Sequence, residues 1–127
     1  MITNSFKLDL FNGVHQPGDI YQMALYTKPL GVDVAAYVTQ SEVLGKGYKP
    51  GGITLTGRQV TLSEGVAFLG WASPLWPDST IVATHALIYN YTRERRSVAV
   101  LDLGGTFTSS NGPFIVELSP ELLSLGG

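Results

Sequence analysis

An all-β fold, a sandwich or barrel of short antiparallel strands, is what this sequence predicts. Three observations carry the prediction. Apolar and β-branched runs, seven or eight of them, recur about every ten residues. Most of the 15 glycines fall between those runs, where turns are needed. The length, 127 residues with 44% hydrophobic, suits one domain with its own core and is short for two.

In chain order, residues 7–11 alternate Leu8 and Leu10 against Lys7 and Asp9, a strand period closed by the turn signal Asn12-Gly13. Pro17-Gly18-Asp19 is a second break. Residues 20–27 fit a short helix or an extended arm: Ile20, Met23 and Ala24 share a helical face and Asp19 could cap it. Pro29 and Gly31 end that segment. Residues 32–39 are β-branched and aromatic, a strand pattern, while the Gly-rich residues 42–52 must turn or bulge. Residues 53–56 and 59–63 alternate as strands around Gly57, and 66–69 form a third short run.

Residues 71–77, with two Trp and two Pro, read as a structured loop. Residues 80–91 are the longest strand pattern, with Ile81, Ala83, His85, Leu87 and Tyr89 on one face and Val82, Thr84, Ala86 and Ile88 on the other. Residues 93–96 are the solvated turn of a hairpin whose second strand, 97–103, ends at Gly104-Gly105. A turn at 109–112 precedes a last strand, 113–118. The closing residues 119–127 are apolar for a free tail and are expected to pack.

Composition limits function. The net charge is −2, from 8 basic and 10 acidic residues, so no basic field is present to bind nucleic acid. Charged residues make up 14%, against roughly 25% in a typical domain. So few charges suggest that part of the surface is normally covered by other protein. There is no Cys, hence no disulfide and no thiolate metal site. No run of about 18 apolar residues marks a membrane span. Residues 1–7 lack the pattern of a secretory signal, so the chain is expected to be made in, or for, a cytoplasm.

Motifs for chemistry are sparse. Asp102-x-Gly104-Gly105-Thr106 resembles the phosphate loop of actin-like sugar kinases, but it lies near the end of a chain too short for both kinase lobes. Gly45-Lys46-Gly47 lacks the Gly-Lys-Ser/Thr ending of a P-loop. His15 and His85 are the only histidines, and neither has convergent ligands or a carboxylate two positions away. The carboxylates are scattered. No catalytic residue, metal or cofactor is expected. Trp71 and Trp76 fit a core plug, an interface anchor or a ligand platform. Asn90-Tyr91-Thr92 is a glycosylation sequon that reads better as the start of the hairpin turn.

Several strings, in order, resemble one family. They are Tyr21-x-Met23-Ala24-Leu25-Tyr26-Thr27, then Tyr37 followed by Glu42-Val43-x-Gly45-x-Gly47-Tyr48-x-x-Gly51-Gly52-x-x-Leu55. Later come Ile88-Tyr89-Asn90, Val98-Ala99-Val100-Leu101-Asp102-Leu103-Gly104-Gly105 and Asn111-Gly112-Pro113-Phe114. Together, across residues 7–118, they resemble small tailed-bacteriophage structural proteins of the capsid cement or decoration type. Two departures stand out: Leu103 where that family often has an aromatic, and His85 near the place of a frequent Arg.

The resemblance implies a jelly-roll-like β-sandwich without an active site. It implies a homodimer bound to the outer surface of an icosahedral head, at junctions between major capsid protein subunits, with no nucleic-acid or membrane partner. On that expectation residues 1–28 form an N-terminal arm for dimer exchange or capsid contact, and 29–127 form the sandwich. The candidate partner interface is Ile20, Tyr21, Met23, Leu25, Tyr26, Trp71 and Trp76. A second reading is a phage tail or receptor-binding sandwich with its Trp71–Trp76 loop facing a host glycan. A small enzyme using His85 or Asp102, and a nucleic-acid-binding barrel using Arg93, Arg95 and Arg96, are the remaining alternatives.

Overall fold

A computed structural model describes residues 1–119 and 121–126. One helix, α1 (Asn4–Phe11), precedes nine strands: β1 (Tyr21–Tyr26), β2 (Ile53–Thr54), β3 (Gln59–Ser63), β4 (Val66–Gly70), β5 (Leu75–Ser79), β6 (Val82–Asn90), β7 (Arg96–Thr108), β8 (Gly112–Ile115) and β9 (Leu123–Gly126). The strands form antiparallel sheets in the orders β2-β1-β6-β7, β3-β4-β9 and β5-β8. The expected all-β sandwich is what forms.

The N-terminal stretch departs most from its sequence pattern. Residues 4–11 are helical, because the Thr3 hydroxyl caps the first turn by accepting from the Phe6 amide at 3.2 Å. Phe6 and Asp9, three apart, form the buried face, so the alternating Leu8 and Leu10 are exposed. Asn12-Gly13 is thus a helix stop. Before the helix, Ile2 bridges Ala99 and the Thr3 amide donates to the Val98 carbonyl, covering the edge of β7.

Residues 20–27 are neither helix nor detached arm. β1 lies between β2 and β6 in the largest sheet, in continuous register from Tyr21 opposite Asn90 to Tyr26 opposite His85. Met23 and Leu25 face the main core with Ala86, Ile88, Trp71, Trp76 and Phe114. Ala24 and Tyr26 face a second cluster with Leu87, Tyr89 and Val100, covered by Leu30, Val32, Val34 and Tyr37. Burial on both faces erases period-2 alternation, which is why the run resembles a helix. Each fully buried Leu, Ile or Met here contributes about 1.5–3 kcal/mol of transfer free energy. A boundary at residue 28 therefore cuts through the sandwich.

The covering segment, residues 32–39, is mostly irregular, with one bridge from Ala36 to Arg96. It acts as a lid on the sheet and contributes no strand. Residues 71–77 are not all loop, since β5 begins at Leu75 and pairs with β8. The face assignment of β6 also changes along its length. Ile81 and Ala83 face the same core as Ala86 and Ile88, so alternation slips between them. There the pairing jumps from Ala83–Phe107 to His85–Asp102, and the extra β7 residues, Gly104 and Gly105 among them, bulge out. Those glycines bend β7 and do not end it.

The Gly-rich residues 42–52 pack backbone against backbone. Gly52 has φ +84°, and a Cβ there would stand 1.7 Å from the Met23 carbonyl oxygen. Only glycine fits that approach to β1. The tail packs as expected, through β9 on β4; Pro120 and Gly127 lie outside the described residues.

Candidate protein-docking surface

β3 and β4 are joined by Glu64-Gly65, both at positive φ, a tight hairpin turn that fixes Ser63 opposite Val66. The register then sets apolar side chains in rows across the three strands. Val60, Leu69 and Leu123 form one row, and Leu62, Ala67 and Leu125 the next, all on one face. Leu123 is buried, but Val60 and Leu125 are exposed and Leu62 is 76% exposed. Phe6 and Leu10 of α1 join Val60, Leu69 and Leu125 around a groove of about 160 Å³. Nearby on the helix, Phe11 is 96% exposed and Leu8 is also open to solvent.

β3 is an edge strand, exposed at all five positions and free of charge and proline. Natural edges are usually blunted by such residues, because unpaired backbone groups recruit other chains. A second apolar groove, of about 520 Å³, lies between Leu103 and Phe107 of β7 and Phe114 and Ile115 of β8, with Phe107 and Ile115 exposed. Exposed apolar side chains that gather beside a groove are where a protein partner could dock.

Most of the expected interface residues lie elsewhere. Tyr21, Met23, Leu25 and Tyr26 are buried within the chain's own core, and so are Trp71 and Trp76. Trp71 packs on Tyr21 with ring centroids 5.6 Å apart, and Trp76 meets Tyr48 at 6.2 Å and Phe114 at 6.1 Å. The two tryptophans are core plugs, because the sheets close over them. Of the seven, only Ile20 is exposed. Val60 and Leu62 were hidden from sequence reading, since their alternation is that of any half-buried strand.

The Gly-rich stretch is held by a carboxylate and does not hold a phosphate. Glu42 accepts hydrogen bonds from the Tyr37 and Tyr48 hydroxyls and, at 2.8 Å, from the Gly51 amide. The Tyr48 oxygen in turn accepts from the Leu25 amide at 3.0 Å. Burial, and then bonding to Glu42, pushes both tyrosine hydroxyls well above their ordinary pKa. Gly45 and Gly47 press on the carbonyls of Thr80 and Asp78, so acceptors occupy the place an anion would need.

The histidines separate. Buried His15 has both ring nitrogens engaged, Nε2 with Asp9 at 3.3 Å and Nδ1 with the Asn90 amide at 3.0 Å. Burial lowers its pKa, and the Asn90 donor at Nδ1 fits the neutral Nε2–H tautomer. Asp9 also takes a bidentate pair from Arg96, at 2.6 and 2.8 Å, while Asp19 takes Arg93 at 2.9 Å. This cluster fastens α1 and its following loop to the β6–β7 hairpin. Asn90, fully buried, belongs to it, which places the sequon inside the fold.

His85 faces Asp102 across the β6–β7 ladder at 3.8 Å, with Thr84 Oγ1 at 2.8 Å from its Nδ1. Asp102 accepts from the Gly104 amide at 2.8 Å, so the Asp-x-Gly-Gly string caps its own bulge. Among the described residues no group of three or more His, Asp or Glu could hold a metal ion. Among the described residues no helix is long and apolar enough to cross a membrane.

No protein-family model matches the chain, and the comparison with curated proteins finds no match.

Proposed function

We propose that this chain is a bacteriophage capsid cement protein, binding the outer surface of an icosahedral head at junctions between major capsid protein subunits. The observation that carries the reading is the open part of one apolar face of the β3-β4-β9 sheet: Val60, Leu62 and Leu125 are exposed there, beside the unblunted edge of β3, while Leu123 on the same face packs into the core. A sandwich with that face, 14% charge and the family resemblance of its sequence is suited to bury surface against other protein. In a symmetric shell many modest contacts of this kind add by multivalency, so the bound copies resist internal pressure together.

The glycan-facing tail reading loses the platform first assigned to it, because Trp71 and Trp76 are buried. Within one chain, β1 pairs with β2 and β6.

The test is made on purified heads with and without the protein, assayed for DNA release on heating and on chelation. Cement activity predicts earlier release from heads that lack it, and immunogold label over the head surface. Equal resistance of both head preparations, or label confined to the tail tip, overturns the proposal.

A further inference from the structure

The turn of the β6–β7 hairpin is closed by the Arg96 amide donating to the Arg93 carbonyl at 3.1 Å. Its two central residues, Glu94 and Arg95, have φ of 55° and 56°. That is the form of a type I′ turn, for which Asn-Gly is the usual sequence, since larger side chains disfavour left-handed backbone. Such strain persists where surrounding structure holds it, and it clusters at ligand sites. Here the strained residue places its guanidinium over two rings, 5.5 Å from the centroid of Tyr91 and 6.0 Å from that of Tyr37.

The stack borders an open cleft of about 690 Å³, which Lys49 and Gln22 also line. Arg93 and Arg96, on either side of the turn, are ion-paired with Asp19 and Asp9. Among the described residues Arg95 and Lys49 form no ion pair. Two cations serve the fold, and two remain over one cleft. Glu42, a half-buried carboxylate, is taken up by Tyr37, Tyr48 and the Gly51 amide. Tyr91, with Arg95 over its ring, is still 47% exposed.

We propose that this cleft binds an acidic carbohydrate, with a sugar ring on Tyr91 and its carboxylate on Arg95 and Lys49. A guanidinium fork matches a carboxylate in two hydrogen bonds, an aromatic face suits the C–H face of a pyranose, and the Gln22 amide suits hydroxyls. A bare inorganic anion has no use for the ring. Single-stranded nucleic acid needs a longer track of cations and aromatics than one cleft on a chain of net charge −2 supplies. The cleft shares no residue with the β3-β4-β9 face, so the two activities stand or fall separately.

The test titrates the full chain with oligogalacturonate and oligosialate, against neutral maltooligosaccharide and poly-glutamate. At least one acidic sugar should bind saturably, and Lys49→Ala and Tyr91→Ala should each weaken it about tenfold. Arg95→Gly, which suits the turn, should leave the thermal midpoint near that of the parent and abolish binding. No binding of either acidic sugar at millimolar concentration overturns the proposal. So does equal binding of maltooligosaccharide or poly-glutamate, or affinity indifferent to Arg95→Gly.

Discussion

The side-chain nitrogen of Asn90 lies 3.0 Å from Nδ1 of His15, which stands 75 positions earlier in the chain. The same nitrogen reaches Asp19 Oδ2 at 2.8 Å, and the Asn90 oxygen accepts from the Arg93 amide at 3.1 Å. One buried amide thus joins the loop after α1 to the hairpin turn. Asn90→Ala would leave His15 Nδ1 and the Arg93 amide without this partner, while Asp19 keeps Arg93 and His15 keeps Asp9, and should destabilise the fold by about 1–3 kcal/mol. Chemical denaturation of the variant measures this.

Acid should unfold the protein in two stages. His15 is neutral in the fold with its pKa lowered by burial, so below about 6.5 the unfolded chain binds the proton first and stability falls. Asp19 is held at about 2, chiefly by the Arg93 hydrogen bond, against an ordinary 3.8. Its contribution is complete above 3.8 and is lost as pH falls through about 2. Thermal midpoints measured against pH should show both declines, and Asp19→Asn should shrink the lower one to the part left by Asp9, whose pKa the Arg96 hydrogen bond also lowers.

Gly52→Ala places a methyl against the Met23 carbonyl and should cost more than about 3 kcal/mol. Gly65→Ala is the comparison, since φ is similar, +80°, but the space around it is open. Its loss should be about 1–2 kcal/mol, from backbone conformation alone. Paired denaturation curves separate steric contact from conformational strain.

Glu94→Gly should stabilise the protein by about 0.5–1 kcal/mol, because it relieves one left-handed residue and removes no hydrogen bond. It should leave acidic-sugar affinity unchanged, since Arg95 keeps its place. A higher thermal midpoint in calorimetry checks the first part, and the titration above the second.

Leu62→Lys on the exposed sheet face should change stability by less than about 0.5 kcal/mol, since the side chain is already in solvent. The same change should abolish co-sedimentation with heads stripped of the protein. A variant that still binds would move the docking face away from β3.

What could be read without the fold was local. Period-2 runs marked β3 and β6, a short apolar run marked β4, and the charged residues 93–96 marked a turn, because each signal depends on neighbours a few positions away. Leu8 and Leu10 misled for the same reason: the alternation was real, but the cap at Thr3 and the Asp9–Arg96 ion pair decided for helix. In the candidate docking surface, Val60 and Leu62 carry an ordinary strand pattern, and no local signal marks that their end of the face stays open. In the cleft, Tyr37, Lys49, Tyr91 and Arg95 are distributed over residues 37–95, and no spacing rule joins them.

The sequence by itself determined the class of fold, the turns and the shortage of charge, which are sums over local choices. Tertiary structure alone decided that residues 21–26 are an inner strand, that both tryptophans are core, and which apolar residues stay uncovered. The reason is physical. Periodicity reports how many faces of a segment are apolar, whereas burial depends on what the rest of the chain lays over them. Here residues 30–37 lie over the outer face of β1, while β3, at the edge of its sheet, stays exposed at all five positions.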